Sequence, residues 1–304
     1  SLEVMDRKRR RGLTPLVKFV EATSQLDPRD LLEIDGQRVH VRVSGEGPPL
    51  ILLHGFMASF FTFREIVPVL AKRFRVITID LNGFGLTERP TDAEAYRIEN
   101  QADLVIRVMQ EVGIESGIII GHSYGAAVAS VAGLRHPGRA TGLILISPAS
   151  RFDRLPWYVQ NRPGQEVLYL LCRRLISDPQ QYKKISSRAF FVDGILTDEV
   201  SETYRRHLLI DGLRFTFFGF MRVLCGNGFP RIAFEELTQP VLVLAGKQDA
   251  VIPLQQCHSI AELLQNGRVE IFDDCGHSAP EERPAEVIES ITRFAADQFF
   301  LRPE

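Results

Sequence analysis

The chain has 304 residues, of which 45% are hydrophobic and 24% are charged, as is ordinary for a water-soluble globular enzyme. Its formal net charge of −2 gives no general attraction to nucleic acid or to an anionic membrane, so we expect no nucleic-acid partner. No uninterrupted run of about 18 apolar residues exists, which predicts no membrane-spanning helix. The four cysteines are scattered, which favours free thiols and a cytoplasmic protein.

The first 32 residues differ from the rest in their charge. The basic run Arg7–Arg11 precedes four apolar residues at helical spacing, Leu13, Leu16, Val17 and Val20. We interpret residues 1–32 as a solvated basic arm with a short helix that packs on the domain. The alternative is a peripheral membrane contact through this arm, because basic amphipathic helices can lie in the membrane interface.

Short β-branched runs then alternate with longer amphipathic segments. The period-two pattern of Arg38–Val43 predicts an early antiparallel strand. Buried parallel strands are predicted at Leu50–Leu53, Arg75–Asp80, Gly117–Ile120, Gly142–Ile146, Pro240–Ala245 and Arg268–Phe272. Helices are predicted at Thr62–Lys72, Ala95–Val112, Tyr124–Arg135 and Ala285–Phe299. Strands that alternate with helices predict right-handed crossovers and a doubly wound α/β sheet.

This alternation stops after Ser147 and resumes at Pro240. The residues between contain charged, helix-like segments and a late group of phenylalanines, but no convincing strand. We therefore interpret residues 150–237 as an inserted helical cap over the C-terminal edge of the sheet, where open α/β sheets bind ligands. Residues 33–149 and 238–304 then form the α/β core.

A Gly-x-Ser-x-Gly motif, Gly121 to Gly125, lies between the predicted strand ending at Ile120 and the predicted helix that follows. In this context the motif is a nucleophile elbow, a turn so tight that its serine is strained and its flanking glycines avoid collisions. The turn exposes the serine hydroxyl at the edge of the sheet. Ser123 is therefore our candidate nucleophile.

A serine needs a base that removes its proton, and in this topology the acid and the base follow it in that order. Asp249 follows the predicted strand Pro240–Ala245, and His277 follows Arg268–Phe272. We expect His277 to be the base and Asp249 to orient it. Asp273 and Asp274 are rivals for the acid, but they are too close to His277 in sequence to reach its Nδ1 comfortably. Asp249 could instead serve only as a turn residue.

The loop after Leu50–Leu53 reads His54-Gly55-Phe56-Met57-Ala58. Gly55 permits a close backbone approach, so we expect the N–H groups of Phe56 and Tyr124 to form an oxyanion hole. His54 is expected to bond to the loop backbone.

For substrate contact we name His122, Met57, Phe215 and Phe218, with structural packing as the equal alternative for His122. The cap phenylalanines suit an apolar acyl or aryl group. No His, Cys, Asp and Glu set has metal-ligand spacing, and we expect no metal or cofactor.

Over about residues 33–300 the chain resembles the α/β-hydrolase superfamily, in its branch with a helical cap. The resemblance rests on five motifs in order: His54-Gly55-Phe56, Asp80–Thr87, Gly121–Gly125, Gly246–Pro253 and Gly276-His277. It implies a mostly parallel eight-stranded sheet with an inserted cap, and a cofactor-free hydrolase.

Haloalkane dehalogenases and epoxide hydrolases of that superfamily carry an aspartate nucleophile where this chain has Ser123. The serine-bearing relatives are carboxylesterases, monoacylglycerol-type lipases and hydrolases of C–C bonds in ring-fission (meta-cleavage) products. The last group has a loop with glycine and proline after its His-Gly, from which Phe56-Met57-Ala58-Ser59 departs.

The leading hypothesis is thus a serine carboxylic-ester hydrolase, of esterase or lipase type, for a small hydrophobic or lipid-like substrate. The alternatives are a C–C bond hydrolase and a ligand-binding or signalling protein on the same fold.

Overall fold

The computed structural model describes residues 13–150, 156–225 and 231–299. Its sheet has eight strands: β1 (Leu31–Ile34), β2 (Gln37–Ser44), β3 (Pro49–Leu53), β4 (Arg75–Ile79), β5 (Gly117–His122), β6 (Ala140–Ile146), β7 (Val241–Gly246) and β8 (Gly267–Phe272). Their order across the sheet is β1-β2-β4-β3-β5-β6-β7-β8. The pairs β1–β2 and β2–β4 are antiparallel and all other pairs are parallel. The predicted fold class, a doubly wound and mostly parallel eight-stranded sheet, is confirmed.

The first strand, β1, is missing from the pattern-based prediction. It forms a hairpin with β2 in which Ile34 faces Gln37. The two residues between them, Asp35 and Gly36, have φ angles of 53° and 77°. Positive φ at both central residues defines a type I′ turn, which the dipeptide Asp-Gly favours. The dipeptide therefore indicates, in the sequence, the hairpin that contains β1.

The helices are α1 (Phe19–Ala22), α2 (Val67–Leu70), α3 (Ile98–Glu111), α4 (Tyr124–Arg135), α5 (Arg162–Ser177), α6 (Pro179–Ser186), α7 (Asp198–Leu208), α8 (Leu213–Cys225), α9 (Leu254–Leu263), α10 (Ala279–Glu282) and α11 (Pro284–Phe299). Alternate strand residues face opposite sides of the sheet. Ile51 and Leu53 pack with residues of α3, α4 and α9, whereas Leu50 and Leu52 pack with residues of α2 and α11. The sheet is therefore covered on both faces.

Two predicted helices begin differently. In place of one helix over Thr62–Lys72, the structure has a 3₁₀ turn at Phe60–Phe63 and then the short helix α2. Pro68 explains the break, because proline has no N–H and its ring collides with the carbonyl four residues earlier in a continuous helix. Helix α3 begins at Ile98 because Arg97 has an extended backbone, with ψ of 143°.

Helices α5 to α8 lie between β6 and β7, and we call residues 156–225 the helical insertion. Helices α6 and α7 pack against each other, and helix α8 packs on the turn at Ala93–Tyr96 that precedes α3. The contact with that turn is close. A Cβ atom at Gly219 of α8 would lie 2.2 Å from the ring of Tyr96. The insertion therefore sits directly on the loops beyond the sheet.

The N-terminal segment crosses this insertion. Val17 forms a parallel bridge with Ile210, donating to the Leu209 carbonyl at 2.8 Å. Thr14 donates through its N–H and its hydroxyl to Ser177, at 3.0 and 2.8 Å. A helix through Leu13, Leu16 and Val17 is therefore not formed, because the backbone of Val17 is paired in extended form.

Between residues 13 and 32, the part of this segment that is described, α1 is the one α-helix, and its Phe19 is buried against Leu86 and Ile210. The basic run Arg7–Arg11 lies outside the described residues. Within the described residues, no helix combines the length and the apolar character needed to cross a bilayer.

Candidate active site

Ser123 occupies the turn between β5 and α4. Its backbone has φ of 54° and ψ of −113°, a strained conformation for a residue with a side chain. A Cβ atom at Gly121 would lie 2.2 Å from the Gly125 carbonyl oxygen, and one at Gly125 would lie 2.2 Å from the Leu53 carbonyl oxygen. Only glycine therefore fits on either side, and the turn has the geometry of a nucleophile elbow.

Asp249 and His277 lie in the loops after β7 and β8. The His277 Nδ1–H donates to Asp249 Oδ2 at 2.8 Å, which leaves the imidazole Nε2 as the basic nitrogen. The other carboxylate oxygen of Asp249 accepts the N–H groups of Val251 and Ile252, each at 2.8 Å. Asp249 is thus a turn residue and a histidine partner at once, and the two readings of the sequence are compatible.

The rival carboxylates point elsewhere. Asp273 binds Lys247 at 2.6 Å and Asp274 lies 3.7 Å from Arg283, and both side chains are exposed. Burial alone would raise the pKa of Asp249, but the hydrogen bond and charge of His277 and the two backbone N–H groups bring it below its ordinary value. Asp249 is therefore ionised at neutral pH and can stabilise an imidazolium.

His122 connects the nucleophile strand to the histidine loop. Its Nε2–H donates to the backbone carbonyl of His277 at 2.8 Å, and the two rings are 4.9 Å apart. Burial, together with the nearby His277, lowers the pKa of His122 to about 3, so its ring is neutral. The side chain is buried and is not among those that line the cavity described below. His122 is therefore a packed, neutral side chain, and its contact with substrate stays a prediction.

The loop after β3 approaches the nucleophile. A Cβ atom at Gly55 would lie 3.2 Å from Ser123 Cβ, so the backbone entering Phe56 passes directly beside the serine. Tyr124 is the first residue of α4 and directly follows Ser123, so its backbone N–H lies at the N-terminus of the helix beside the serine. The Phe56 and Tyr124 rings are 6.2 Å apart. Both predicted oxyanion residues therefore flank Ser123, and their role stays a prediction.

A buried network of polar side chains binds the loop that follows β3. His54 donates through Nδ1–H to the Gly55 carbonyl at 2.7 Å and accepts the Leu81 N–H at 3.0 Å, as expected for a structural histidine. Asp80 has no exposed surface, yet it accepts hydrogen bonds from His40 Nδ1 at 2.8 Å and from two backbone N–H groups. Burial would raise its pKa, but His40 reverses that effect and the pKa is lowered. Asp80 thus holds its loop as a buried anion.

Arg89 is a second buried charged residue in the loop after β4. Its guanidinium donates to the carbonyls of Phe84, Thr87, Gly85 and His207. Burial lowers its pKa to about 10, which leaves it charged at neutral pH. Because His207 belongs to α7, Arg89 also joins the loop after β4 to the helical insertion. Asp80 opens one of the five motifs, but the hydrogen bonds of Asp80 and of Arg89 are evident only in the structure.

A cavity of about 320 Å³ lies between the loops and the helical insertion, which is at the lower end for ligand pockets. Its lining is almost entirely apolar. From the core it includes Phe56, Met57, Phe84 and Tyr124, and from the insertion Leu168, Phe217 and Phe220. The Phe220 ring lies 5.1 Å from Phe56 and 5.7 Å from Tyr124. The cavity therefore reaches both residues that flank the nucleophile.

The phenylalanines of α8 that line the cavity are not the two that were predicted from the sequence. Phe217 and Phe220 of α8 line the cavity, as predicted Met57 does, but Phe215 and Phe218 do not. Phe215 is 48% exposed, and Phe218 lies on the outer side against the Arg162 guanidinium, 3.7 Å from its ring centre. In an α-helix, residues three and four apart share a face, so Phe215 and Phe218 lie together on a face that does not line this cavity, and their contact with substrate stays a prediction. Among the residues described, no group of three or more His, Cys, Asp or Glu side chains is arranged to hold a metal ion.

The fold and the elbow define the class of protein. A family model described as alpha/beta hydrolase fold matches residues 48–284, and the chain belongs to that family. It is an α/β hydrolase.

Two relatives extend over nearly the whole chain. The 2-hydroxymuconate semialdehyde hydrolase of Pseudomonas sp. (strain CF600) is 27% identical over 271 residues, which cover 86% of this chain and 92% of that protein. Epoxide hydrolase A of Mycobacterium tuberculosis (strain ATCC 25618 / H37Rv) is 26% identical over 310 residues, covering 87% and 96%. The names of these relatives therefore span more than one chemistry.

Solved structures agree on the fold. A bacterial membrane phospholipase A has a TM-score of 0.74 at 22% identity, covering 98% of this chain and 91% of its own. A meta-cleavage product hydrolase from Pseudomonas fluorescens IP01 has a TM-score of 0.73 at 22% identity, covering 88% and 97%. At these identities the likeness establishes architecture and not activity.

Proposed function

We propose that the chain is a serine hydrolase that cleaves carboxylic ester bonds of a hydrophobic, lipid-like substrate through an acyl-enzyme. The observation that carries the proposal is the apolar cavity, which reaches Phe56 and Tyr124 on either side of Ser123. Neither Ser123 nor His277 lines the cavity itself, and we infer that an acyl chain lies in it with the ester carbonyl reaching past Phe56 and Tyr124 to Ser123. The helical insertion then acts as the cap that encloses the chain.

The chemistry follows from the side chains. His277 Nε2 removes the proton of Ser123 as the hydroxyl attacks the ester carbonyl, because Nδ1 keeps its proton for Asp249. The N–H groups of Phe56 and Tyr124 stabilise the tetrahedral oxyanion. His277 then protonates the leaving alcohol, and it activates a water that hydrolyses the acyl-enzyme.

Epoxide opening fits the site poorly even though a relative is named for it. A carboxylate nucleophile attacks an epoxide to give an ester, which water can hydrolyse. Ser123 would give an ether, which the same base and water could not cleave. The serine therefore favours acyl transfer.

Hydrolysis of a C–C bond is the second candidate, because a relative over most of the chain is a 2-hydroxymuconate semialdehyde hydrolase. An acidic substrate of that kind needs a cationic or strongly polar partner. Of the candidate arginines, Arg173 lines the cavity, but its guanidinium donates to Ser177 Oγ at 2.9 Å and to the Thr14 carbonyl. Arg174, Arg188 and Arg222 are exposed. The apolar lining therefore favours the ester.

The test is a series of p-nitrophenyl esters of increasing acyl length, run beside a monoacylglycerol and a ring-fission dienoate. The cavity holds roughly ten non-hydrogen atoms if each needs about the 30 Å³ that a water takes in the liquid. We therefore expect kcat/KM to rise about fourfold per methylene up to a medium chain, from about 0.8 kcal/mol per buried methylene. Preference for the dienoate would favour the second candidate, and saturable binding without turnover would favour a ligand-binding protein.

A pair of variants on α5 links the preference to this cavity. Leu168→Trp fills the cavity and is expected to move the optimum to shorter chains. Val167→Trp is its matched control, because Val167 is the adjacent residue and is 59% exposed. An equal shift in both variants would contradict the assignment of this cavity to the acyl chain.

A further inference from the structure

The loop that carries His277 is bound by one buried carboxylate. Glu282, at the end of α10, is 6% exposed. Its Oε2 accepts the Gly276 N–H at 3.1 Å, and its Oε1 accepts the Ser278 N–H at 3.0 Å. The two residues on either side of His277 are therefore fixed to the same side chain.

The same carboxylate also binds the helical insertion. Glu282 Oε2 accepts the N–H groups of Phe191 and Val192, at 2.7 and 2.9 Å. These residues follow the 3₁₀ turn Ser187–Ala189 and lie in the connection between α6 and α7. Charge-assisted hydrogen bonds are the stronger kind, so four of them on one carboxylate form a firm joint between the insertion and the histidine loop.

Backbone contacts around His277 complete the joint. The His277 N–H donates to the Ala189 carbonyl at 2.9 Å, while its own carbonyl accepts from His122. A Cβ atom at Gly276 would lie 2.6 Å from the Phe191 nitrogen, so only glycine permits this approach. The backbone of His277 is thus held on one side by the insertion and on the other by the nucleophile strand.

We propose that Glu282 is a positioning residue that couples the helical insertion to the base His277. It does not touch the reacting atoms. It fixes the backbone on both sides of His277, and with it the position from which the imidazole reaches Ser123, and it does so only while residues 189–192 are in place. The inference rests on the proposed function, because it takes His277 as the base. A shift of about 1 Å in a positioned catalytic group can cost about 10²-fold in rate.

Two substitutions at Glu282 should lower kcat to different extents. In Glu282→Gln the amide oxygen can keep the site of Oε2 and its three N–H partners, but the amide nitrogen then faces the Ser278 N–H. We expect kcat to fall about tenfold. Glu282→Ala removes all four acceptors, and we expect a fall of about 10²-fold. KM stays within about twofold of the wild type, because the cavity is unchanged. Glu286→Gln, an exposed glutamate on α11, is the matched control and keeps wild-type kinetics.

The readout is kcat per active site, with sites counted by stoichiometric fluorophosphonate labelling. A residue that only stabilises the fold would reduce the number of sites and leave the turnover of each site unchanged, and that result would overturn the proposal. Hydrogen exchange on Glu282→Gln supplies a measurement without substrate. The amides of residues 189–192 and 276–278 are expected to lose protection together, and loss in only one segment would also overturn the coupling.

The control for the proposed function is Ser123→Ala in the same assay. If Ser123→Ala keeps its turnover, the proposed function is wrong, while the exchange experiment still reports whether Glu282 joins the two segments. If Ser123→Ala is inactive and Glu282→Gln has wild-type kcat per site, only the coupling is wrong.

Discussion

Asp249→Asn gives the sharpest test of the site. The Asp249 Oδ1 atom accepts two backbone N–H groups and Oδ2 accepts the His277 Nδ1–H, all at 2.8 Å. An asparagine must place its single carbonyl oxygen at one of these positions. Two backbone hydrogen bonds of about 1 kcal/mol each outweigh one, so the oxygen stays with the backbone and the NH₂ group faces His277.

This orientation reverses the tautomer of the base. An NH₂ group can only donate, so His277 Nδ1 must become the acceptor and the ring proton moves to Nε2. A protonated Nε2 cannot remove the proton of Ser123. We expect kcat/KM to fall by about 10⁴, or about 5 kcal/mol of transition-state stabilisation, while the free energy of unfolding changes little.

The assay is ester hydrolysis at pH 7.5, with the loss of Ser123 labelling by a fluorophosphonate as a second readout. Asp273→Asn is the matched control, because it makes the same chemical change one loop away on an exposed side chain that binds Lys247. It should retain wild-type activity. If Asp249→Asn keeps more than about a tenth of the activity, the assignment of Asp249 and the tautomer reasoning are both refuted.

Three further predictions concern stability. Gly125→Ala should lower the free energy of unfolding by about 1–3 kcal/mol and abolish labelling of Ser123, because the new Cβ would collide with the Leu53 carbonyl. Gly138→Ala, where a Cβ would have no atom within 4 Å, should be nearly neutral, and equal denaturation midpoints for the two variants would contradict this. Arg89→Met should cost about 3–5 kcal/mol, because it leaves four carbonyls around the buried guanidinium without their donor. The exposed Arg268→Met should cost about 1 kcal/mol or less, chemical denaturation measures both, and a small effect at Arg89 would show that these hydrogen bonds are dispensable. Burial lowers the pKa of His207 to about 4, below the value of about 6.5 in the unfolded chain. Between these two pH values the unfolded chain binds more protons than the folded one, so the free energy of unfolding should fall as the pH drops from about 6.5 to 4. His207→Gln should flatten this dependence on pH, and an unchanged slope would argue against the lowered pKa.

The predictable part of the fold consists of elements whose signal is local. Ser123 and Asp249 follow strands that are buried throughout, whereas His277 follows β8, an edge strand of which only Phe272 is buried, against the prediction of a buried strand over Arg268–Phe272. All three strands are parallel, so topology alone brings the three residues to one edge of the sheet. The dipeptide Asp35-Gly36 is also a local indication of a hairpin, but strands predicted from hydrophobic periodicity alone do not take it into account. Pro68 likewise marked the break in the helix predicted over Thr62–Lys72.

The remainder depends on tertiary contacts. Helix α8 is apolar around much of its circumference, so its sequence does not indicate that Phe217 and Phe220, rather than Phe215 and Phe218, face the cavity. Val17 pairs with Ile210, and no sequence pattern near either residue predicts that bridge. Glu282 is buried only because residues 189–192 fold back onto it. Such roles exist only once distant segments meet.

The pairing of the N-terminal segment with the helical insertion bears on how substrate enters. Two chain connections to the core define an axis about which an inserted body can rotate. The insertion has further attachments to the core: Arg89 bonds to His207, Glu282 bonds to Phe191 and Val192, and the segment from Thr14 to Phe19 is bonded to Ser177 and Leu209 and packs Phe19 against Leu86. Together these contacts oppose rotation of the insertion as a whole, so we expect substrate to enter through local separation of neighbouring helices. A chain that begins after Phe19 would lose one of these attachments and keep the others.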